Sequence, residues 1–386
     1  MKILYIIDPV TQGGATESFI EVISQMTKRG VKCYVCTSKS SSFDDRIRKA
    51  GGVPLSCGHM TVLEPISPYK WKRPIKYPIQ WLRFRIARYK ALKKISSLID
   101  ISSINLIHTN SARNDIGCYL NKQYNIPHLM HIREFADKDF KCIPLDRKYI
   151  DVYNKYTSMF VAVSDAVKKH WVSKGLEKQK IDVVYNGIKE DIAPSPNQDK
   201  LNAKLQAIMT SGICEAKGQM QVLEALSLLP IPVLNCIHVD FVGWADPQYL
   251  SSLEEYVQAH ELKKNVSFLG KCSSVHSILH NYQLGLTCSK CEGFGRVTAE
   301  YMHARLGVIA SDTGANPELI KNGNTGLLYK EGDVKNLAVK IQELLENRDE
   351  LVSLSNNAQN FAKSNFTDII NADNIYRIYK RLCARK

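Results

Sequence analysis

The 386 residues exceed one ordinary domain of roughly 100–200 residues, so the length predicts two domains with a core each. Hydrophobic residues at 44% and charged residues at 23% exclude a wholly disordered chain, and no run approaches the roughly 18 apolar residues that cross a bilayer. With 52 Lys and Arg against 38 Asp and Glu, the net charge of +14 attracts polyanions such as nucleic acid, anionic lipid or diphosphates without choosing among them.

Ile3–Ile7 reads as a first strand: it is shorter than a signal-peptide core and meets Asp8 at once, which predicts a cytosolic chain. Gln12-Gly13-Gly14-Ala15-Thr16 then opens a helix over about 16–29, in half of a dinucleotide fingerprint that lacks its third glycine. Val31–Thr37 is the next strand. It carries Cys33 and Cys36, which with Cys288 and Cys291 have zinc-ligand spacing. A CxxC pair on a strand points to opposite faces, so core thiols are expected and no metal site, in keeping with an odd count of 11 scattered cysteines.

From Lys70 to Lys94 there are ten Lys or Arg and no acidic residue, interleaved with Trp71, Tyr77, Trp81, Phe84 and Tyr89. A basic amphipathic helix over Ile79–Ile95 predicts contact of the 70–95 segment with an anionic membrane surface; the alternative is a helix with solvated cations and core aromatics. Further strands are expected at Leu106–His108, His128–Ile132, Phe160–Val163 and Ile181–Val184, the last leading to the turn Tyr185-Asn186-Gly187. Two of them end in His108-Thr109-Asn110 and His131-Ile132-Arg133-Glu134, the right depth for a ligand.

The proline-bearing polar stretch Ala193–Asp199 marks a linker, after which the rhythm restarts. Strands are expected at Ala207–Thr210, Val239–Val242, Val266–Leu269, Gly285–Cys288 and Val308–Ala310, with helices at Gln219–Leu229, Gln248–His260 and Thr298–Ala304. The expected organisation is α/β: an N-terminal domain over 1–190, a linker over 191–200, a C-terminal domain over 201–366, and a helix over 367–386 packing back on the first domain.

Two turns in the second half carry chemistry. Glu292-Gly293-Phe294-Gly295-Arg296 follows a strand and feeds a helix whose N-terminus favours phosphate, with Glu300 eight residues after Glu292. Eight residues of helix rise about 12 Å, too far for a glycosidase acid/base pair, so the two carboxylates suit different hydroxyls of one extended ligand. Ser211-Gly212-Ile213-Cys214-Glu215-Ala216-Lys217-Gly218 repeats the strand-turn-helix pattern, with Lys217 able to meet a diphosphate.

Glu292–Glu300, Lys217-Gly218, Asn186-Gly187, Gly13-Gly14, Ser311–Glu318 and Asn324–Leu328 together resemble the retaining GT-B glycosyltransferases of family 4, in family order and over nearly the whole chain. The resemblance implies two Rossmann-like domains facing each other across a cleft. It implies a metal-independent, retaining transfer of a hexose or N-acetylhexosamine from a nucleotide sugar, UDP in preference to GDP. The acceptor would be a glycan or a polyprenyl-diphosphate-linked acceptor in cell-surface polysaccharide synthesis. The nucleotide sugar is a substrate, so no cofactor is expected.

By the same resemblance Glu292 binds donor-sugar hydroxyls and Glu300 the ribose. The amides around Phe294, Gly295 and Arg296 face the sugar and phosphates, and Lys217 neutralises the leaving diphosphate. Gly13 and Gly14 lie against the diphosphate and acceptor; Gly212 and Asn186 complete the donor set. Ser211-Gly212 stands where the family has Gly-Arg, which removes one cation; Arg296 is the candidate replacement. The family's cleft histidine falls at Arg133 by counting from Pro127 and at His131 by chemistry, and both are candidates on one strand face. Two other readings fit parts of the pattern: a nucleotide-sugar 2-epimerase of the same architecture, and a nucleic-acid-binding protein, for which no module is recognisable.

Overall fold

A computed structural model describes residues 1–8, 13–65, 73–189, 192–193, 204–272 and 274–384. Most of the expected linker, together with Gln12, Lys70 and Trp71, lies outside the described residues. The chain forms two compact units, Met1–Gly187 with Asp368–Lys386, and Ile188–Thr367. The division falls at 187 because Ile188 already pairs with the end of its own unit: it bridges to Thr367, and its N–H donates to the Phe366 carbonyl over 2.8 Å.

In the first unit the strands are β1 (Lys2–Ile6), β2 (Lys32–Thr37), β3 (Val53–Ser56), β4 (Leu106–Thr109), β5 (His128–Ile132), β6 (Met159–Ala162) and β7 (Ile181–Val183). They form one sheet of order β3-β2-β1-β4-β5-β6-β7, parallel throughout. Every position of β4, β5 and β6 is buried, as a parallel sheet covered on both faces requires, and this is why they read as unbroken apolar runs. Helix α1 (Gly14–Lys28) lays Phe19, Val22, Ile23 and Met26 on one face, where Ala372, Ile375, Tyr379 and Leu382 of the C-terminal helix Asp368–Cys383 join the same core. Cys33 belongs to that core and Cys36 to the core on the opposite face, so β2 cannot aim both thiols at one ion.

Helix α2 (Arg73–Leu98) covers the other face, burying Phe84, Ala91 and Ile95. Arg88 is buried beside them and donates to Asp115 over 2.7 Å. The short antiparallel pair Leu63–Pro65 with Cys142–Pro144 and the edge strand β3 are elements that the apolar pattern does not predict. No described helix is long and apolar enough to cross a membrane.

The second unit repeats the plan with β8 (Leu205–Thr210), β9 (Ile237–Val242), β10 (Val266–Gly270), β11 (Leu284–Thr287), β12 (Gly307–Ser311) and β13 (Leu327–Tyr329). Its order is β10-β9-β8-β11-β12-β13, again all parallel. Helix α3 (Gln219–Ser227) follows β8 and helix α4 (Arg296–His303) follows β11. The second sheet therefore has the doubly wound order 3-2-1-4-5-6 and the first has the same order with a seventh strand beyond the sixth, both reversing between their first and fourth strands. Ligands of such sheets bind at the carboxyl ends of those two strands.

Candidate active site

At the reversal point of the second sheet, the turns after β8 and β11 meet. The first runs through Ser211 and Gly212 to a 3₁₀ turn at Glu215–Lys217, and Gly218 then starts α3 at φ +80°. Only glycine fits there: an added Cβ would lie 2.2 Å from the Cys288 carbonyl at the end of β11. That close approach brings the Lys217 ammonium to 2.6 Å from Glu292 Oε1, with side-chain exposures of 31% and 20%. Among the described residues Oε2 of Glu292 accepts no hydrogen bond.

The Glu292 turn is fixed from behind by the segment after β12. Gly314, at φ +55°, presses on the Glu292 backbone, and the Ala315 N–H donates to the Glu292 carbonyl over 3.0 Å. Asn316 is fully buried and accepts from the Thr298 hydroxyl in α4 over 3.0 Å while its amide donates to the Ser311 carbonyl over 3.0 Å. The tail Ser311–Glu318 is thus the frame that aims the acidic turn. Phe294 is buried against Phe366 at 5.9 Å, so its ring serves packing.

Helix α4 begins after Gly295 at φ +81° and points its positive end toward the Glu292 turn. Its first-turn Arg296 donates from Nε to Glu300 Oε1 over 2.8 Å, and His276 Nε2 lies 3.3 Å from the same oxygen. Burial pushes the Glu300 carboxyl up, but the hydrogen bond from His276 and the Arg296 charge outweigh it and hold the group below its ordinary value, ionised. Arg296 thus works on Glu300. At Gly212, the place of the missing arginine, an added Cβ would lie 2.6 Å from the Trp244 indole, which is 59% exposed. Trp244 follows β9, and its carbonyl accepts from Ile213 N–H over 2.7 Å, stitching the two loops together.

In the first unit the structure brings together His131, Arg133 and Asn186. Arg133 donates from Nε to Asn110 Oδ1 over 2.8 Å and from Nη1 to Asn186 Oδ1 over 2.7 Å, and its Nη2 lies 3.4 Å from His131 Nδ1. His131 is fully buried under Arg133 and stacks on His108 with ring centres 5.5 Å apart. Burial drives the His131 pKa well below its ordinary value, with Arg133 adding to it, so the ring is neutral. Beside them Glu134 accepts from the Ser111 hydroxyl over 2.7 Å, and burial raises its carboxyl to about 7. Gly13, at φ +101°, precedes α1, and a Cβ there would meet nothing within 4 Å; Gly14 is the first residue of that helix.

His276 and Trp244 escape the sequence reading. Neither lies in a motif, and each reaches its partner from a different strand loop.

Known proteins fit this description. The family profile Glycosyltransferase Family 4 matches residues 12–192, and the profile Glycosyl transferases group 1 matches residues 192–361. An uncharacterised glycosyltransferase of Methanocaldococcus jannaschii is 24% identical over 312 residues, 79% of this chain and 84% of that protein. The lipopolysaccharide 1,6-galactosyltransferase of Salmonella typhimurium is 24% identical over 284 residues, 68% of this chain and 73% of that protein. Among solved structures, Anabaena HepE in complex with UDP is similar with a TM-score of 0.80 at 20% identity, over 99% of this chain and all of that one. Two Rossmann-type sheets with these relatives define a glycosyltransferase of the GT-B class. The chain belongs to glycosyltransferase family 4, among the group 1 enzymes.

Proposed function

We propose that the protein is a retaining, metal-independent transferase that moves a hexose or N-acetylhexosamine from a UDP-sugar, in preference to a GDP-sugar, to a glycan or lipid-linked acceptor of cell-surface polysaccharide synthesis. The observation that carries the reading is the meeting of Lys217 with Glu292 at the reversal point of the second sheet, beside the positive end of α4. The glycan acceptor rests on relatives such as the Salmonella lipopolysaccharide galactosyltransferase, and the uridine base on neighbours solved with UDP.

The donor's anomeric C–O bond breaks as the diphosphate leaves. Lys217 then exchanges its carboxylate partner for phosphate oxygens, which stabilises the growing negative charge. Glu292 Oε2 takes the sugar hydroxyls, and Glu300 takes the ribose. The acceptor hydroxyl attacks the anomeric carbon from the leaving-group side and gives its proton to a diphosphate oxygen, so configuration is kept. A lysine and a helix end supply the positive charge that a divalent ion would otherwise bring.

The same reading places the enzyme at the cytoplasmic face of a membrane, through α2. Ile79, Leu82, Ile86 and Tyr89 are all exposed and, at 100° per residue, share one face opposite the buried Phe84, Ala91 and Ile95. Arg83, Lys90 and Lys94 flank that face on one side and Arg85 on the other, the pattern of an interfacial helix on anionic lipid.

Incubation with UDP- and GDP-sugars in the presence of EDTA, followed by NMR of the anomeric protons, tests the proposal. Transfer or slow hydrolysis of a UDP-sugar with the anomeric configuration kept is the expected result. An inverted product, or turnover that stops on chelation, overturns it. Both matching profiles are glycosyltransferase profiles, which does not favour the epimerase alternative.

A further inference from the structure

We infer that His276 is a positioning residue for the donor nucleotide: with Arg296 it fastens one oxygen of the Glu300 carboxylate and so presents the other to the ribose hydroxyls. The inference rests on the reading that Glu300 binds ribose, and adds to it a residue that no motif contains.

The geometry is specific. Both donors converge on Oε1, Arg296 Nε at 2.8 Å and His276 Nε2 at 3.3 Å, and among the described residues Oε2 accepts no hydrogen bond. A carboxylate oxygen offers about two lone-pair sites, so Oε1 is filled and recognition falls to Oε2. The Glu300 side chain is only 10% exposed, so a hydroxyl meets it in a place where an unpaired carboxylate is costly.

The two fasteners differ in origin. Arg296 sits one turn before Glu300 on α4 and moves with it, whereas His276 comes from the segment between β10 and β11. Only His276 therefore ties the carboxylate to a second element. The terminal torsion of a glutamate is broad, and a single partner on its own helix leaves the carboxylate free to turn about it. Second-partner contacts of this kind orient a binding group without touching the ligand, as the outer partners of metal ligands do.

The test is calorimetric titration with UDP, 2′-deoxy-UDP and 3′-deoxy-UDP of the wild type, His276→Ala, His276→Gln and Glu300→Gln, using the guanosine series if only GDP binds. His276→Ala is expected to weaken the parent nucleotide on the order of tenfold, as for a lost hydrogen bond to a charged group. It should leave the deoxy form that lacks the contacted hydroxyl nearly unchanged. Glutamine, whose amide nitrogen stands close to Nε2, should restore most of the loss. Equal weakening of parent and deoxy nucleotides by His276→Ala, or none, overturns the inference. If Glu300→Gln still discriminates the deoxy forms as the wild type does, the ribose reading of Glu300 falls and this inference with it. If Glu300→Gln loses that discrimination and His276→Ala keeps it, only the inference about His276 falls.

Discussion

The Lys217 ammonium stands 2.6 Å from Glu292 Oε1, joining two turns that are 75 residues apart in the chain. On the proposed reading this pair is the resting state, from which a donor diphosphate would draw the lysine away. Lys217→Ala should lower turnover on the order of 10²–10³-fold, the usual effect of removing a positioned donor to developing charge. Its melting temperature should barely move, because a partly exposed ion pair contributes about 0–1 kcal/mol. Steady-state kinetics and a thermal melt of the same variant check both halves.

Gly314 should behave in the opposite way. Its φ of +55° and the 2.2 Å from an added Cβ to the Glu292 carbonyl make any side chain there push the acidic turn out of place. Gly314→Ala is expected to cost about 1–3 kcal/mol of stability, read by urea denaturation, and to raise the donor KM as well.

Acid should destabilise the first unit through its buried histidines. Burial pushes His128 down to about 3, and holds His108 and His131 well below the ordinary value of about 6.5. Below that pH the unfolded chain binds protons that the folded chain refuses. Each histidine therefore removes about 1.4 kcal/mol of stability per pH unit of acidification until its own folded pKa is reached. Two carboxyls oppose this. Burial raises Glu134 to about 7 and Asp115 to about 6, so on acidification the folded state takes up their protons first and gains stability down to about pH 4. Urea titrations between pH 5 and 7 should show His131→Gln flattening the acid slope by about one proton and Glu134→Gln steepening it by about one.

Restoring a cation at position 212 should disturb an aromatic side chain. With the Trp244 ring 2.6 Å from the ideal Cβ of Gly212, an arginine there must displace the indole. The tryptophan emission of Gly212→Arg should shift relative to wild type, and the shift should vanish when Trp244→Phe is added.

Much of this fold is visible in the sequence because both sheets are parallel. Strands such as β5 and β8 are buried on both faces and read as apolar runs punctuated by helical periods. The edge strand β3 is hidden because its four residues are exposed or only half-buried. The chemistry-bearing turns are legible one by one, since a glycine, a lysine or a glutamate at a helix start has a physical reason to be there. Their pairings are not. Nothing in the spacing says that Lys217 meets Glu292, that Asn186 meets Arg133, or that His276 reaches Glu300, because each contact is made by the return of a later strand beside an earlier one.

Comparing the binding of UDP with that of uridine, by calorimetry in the wild type and in Lys217→Ala, tests the central claim most directly. If the turns after β8 and β11 hold the donor's diphosphate, one site is seen, UDP binds far more tightly than uridine, and Lys217→Ala loses most of that difference while its uridine affinity stays. A Lys217→Ala protein that binds UDP as tightly as the wild type contradicts the account.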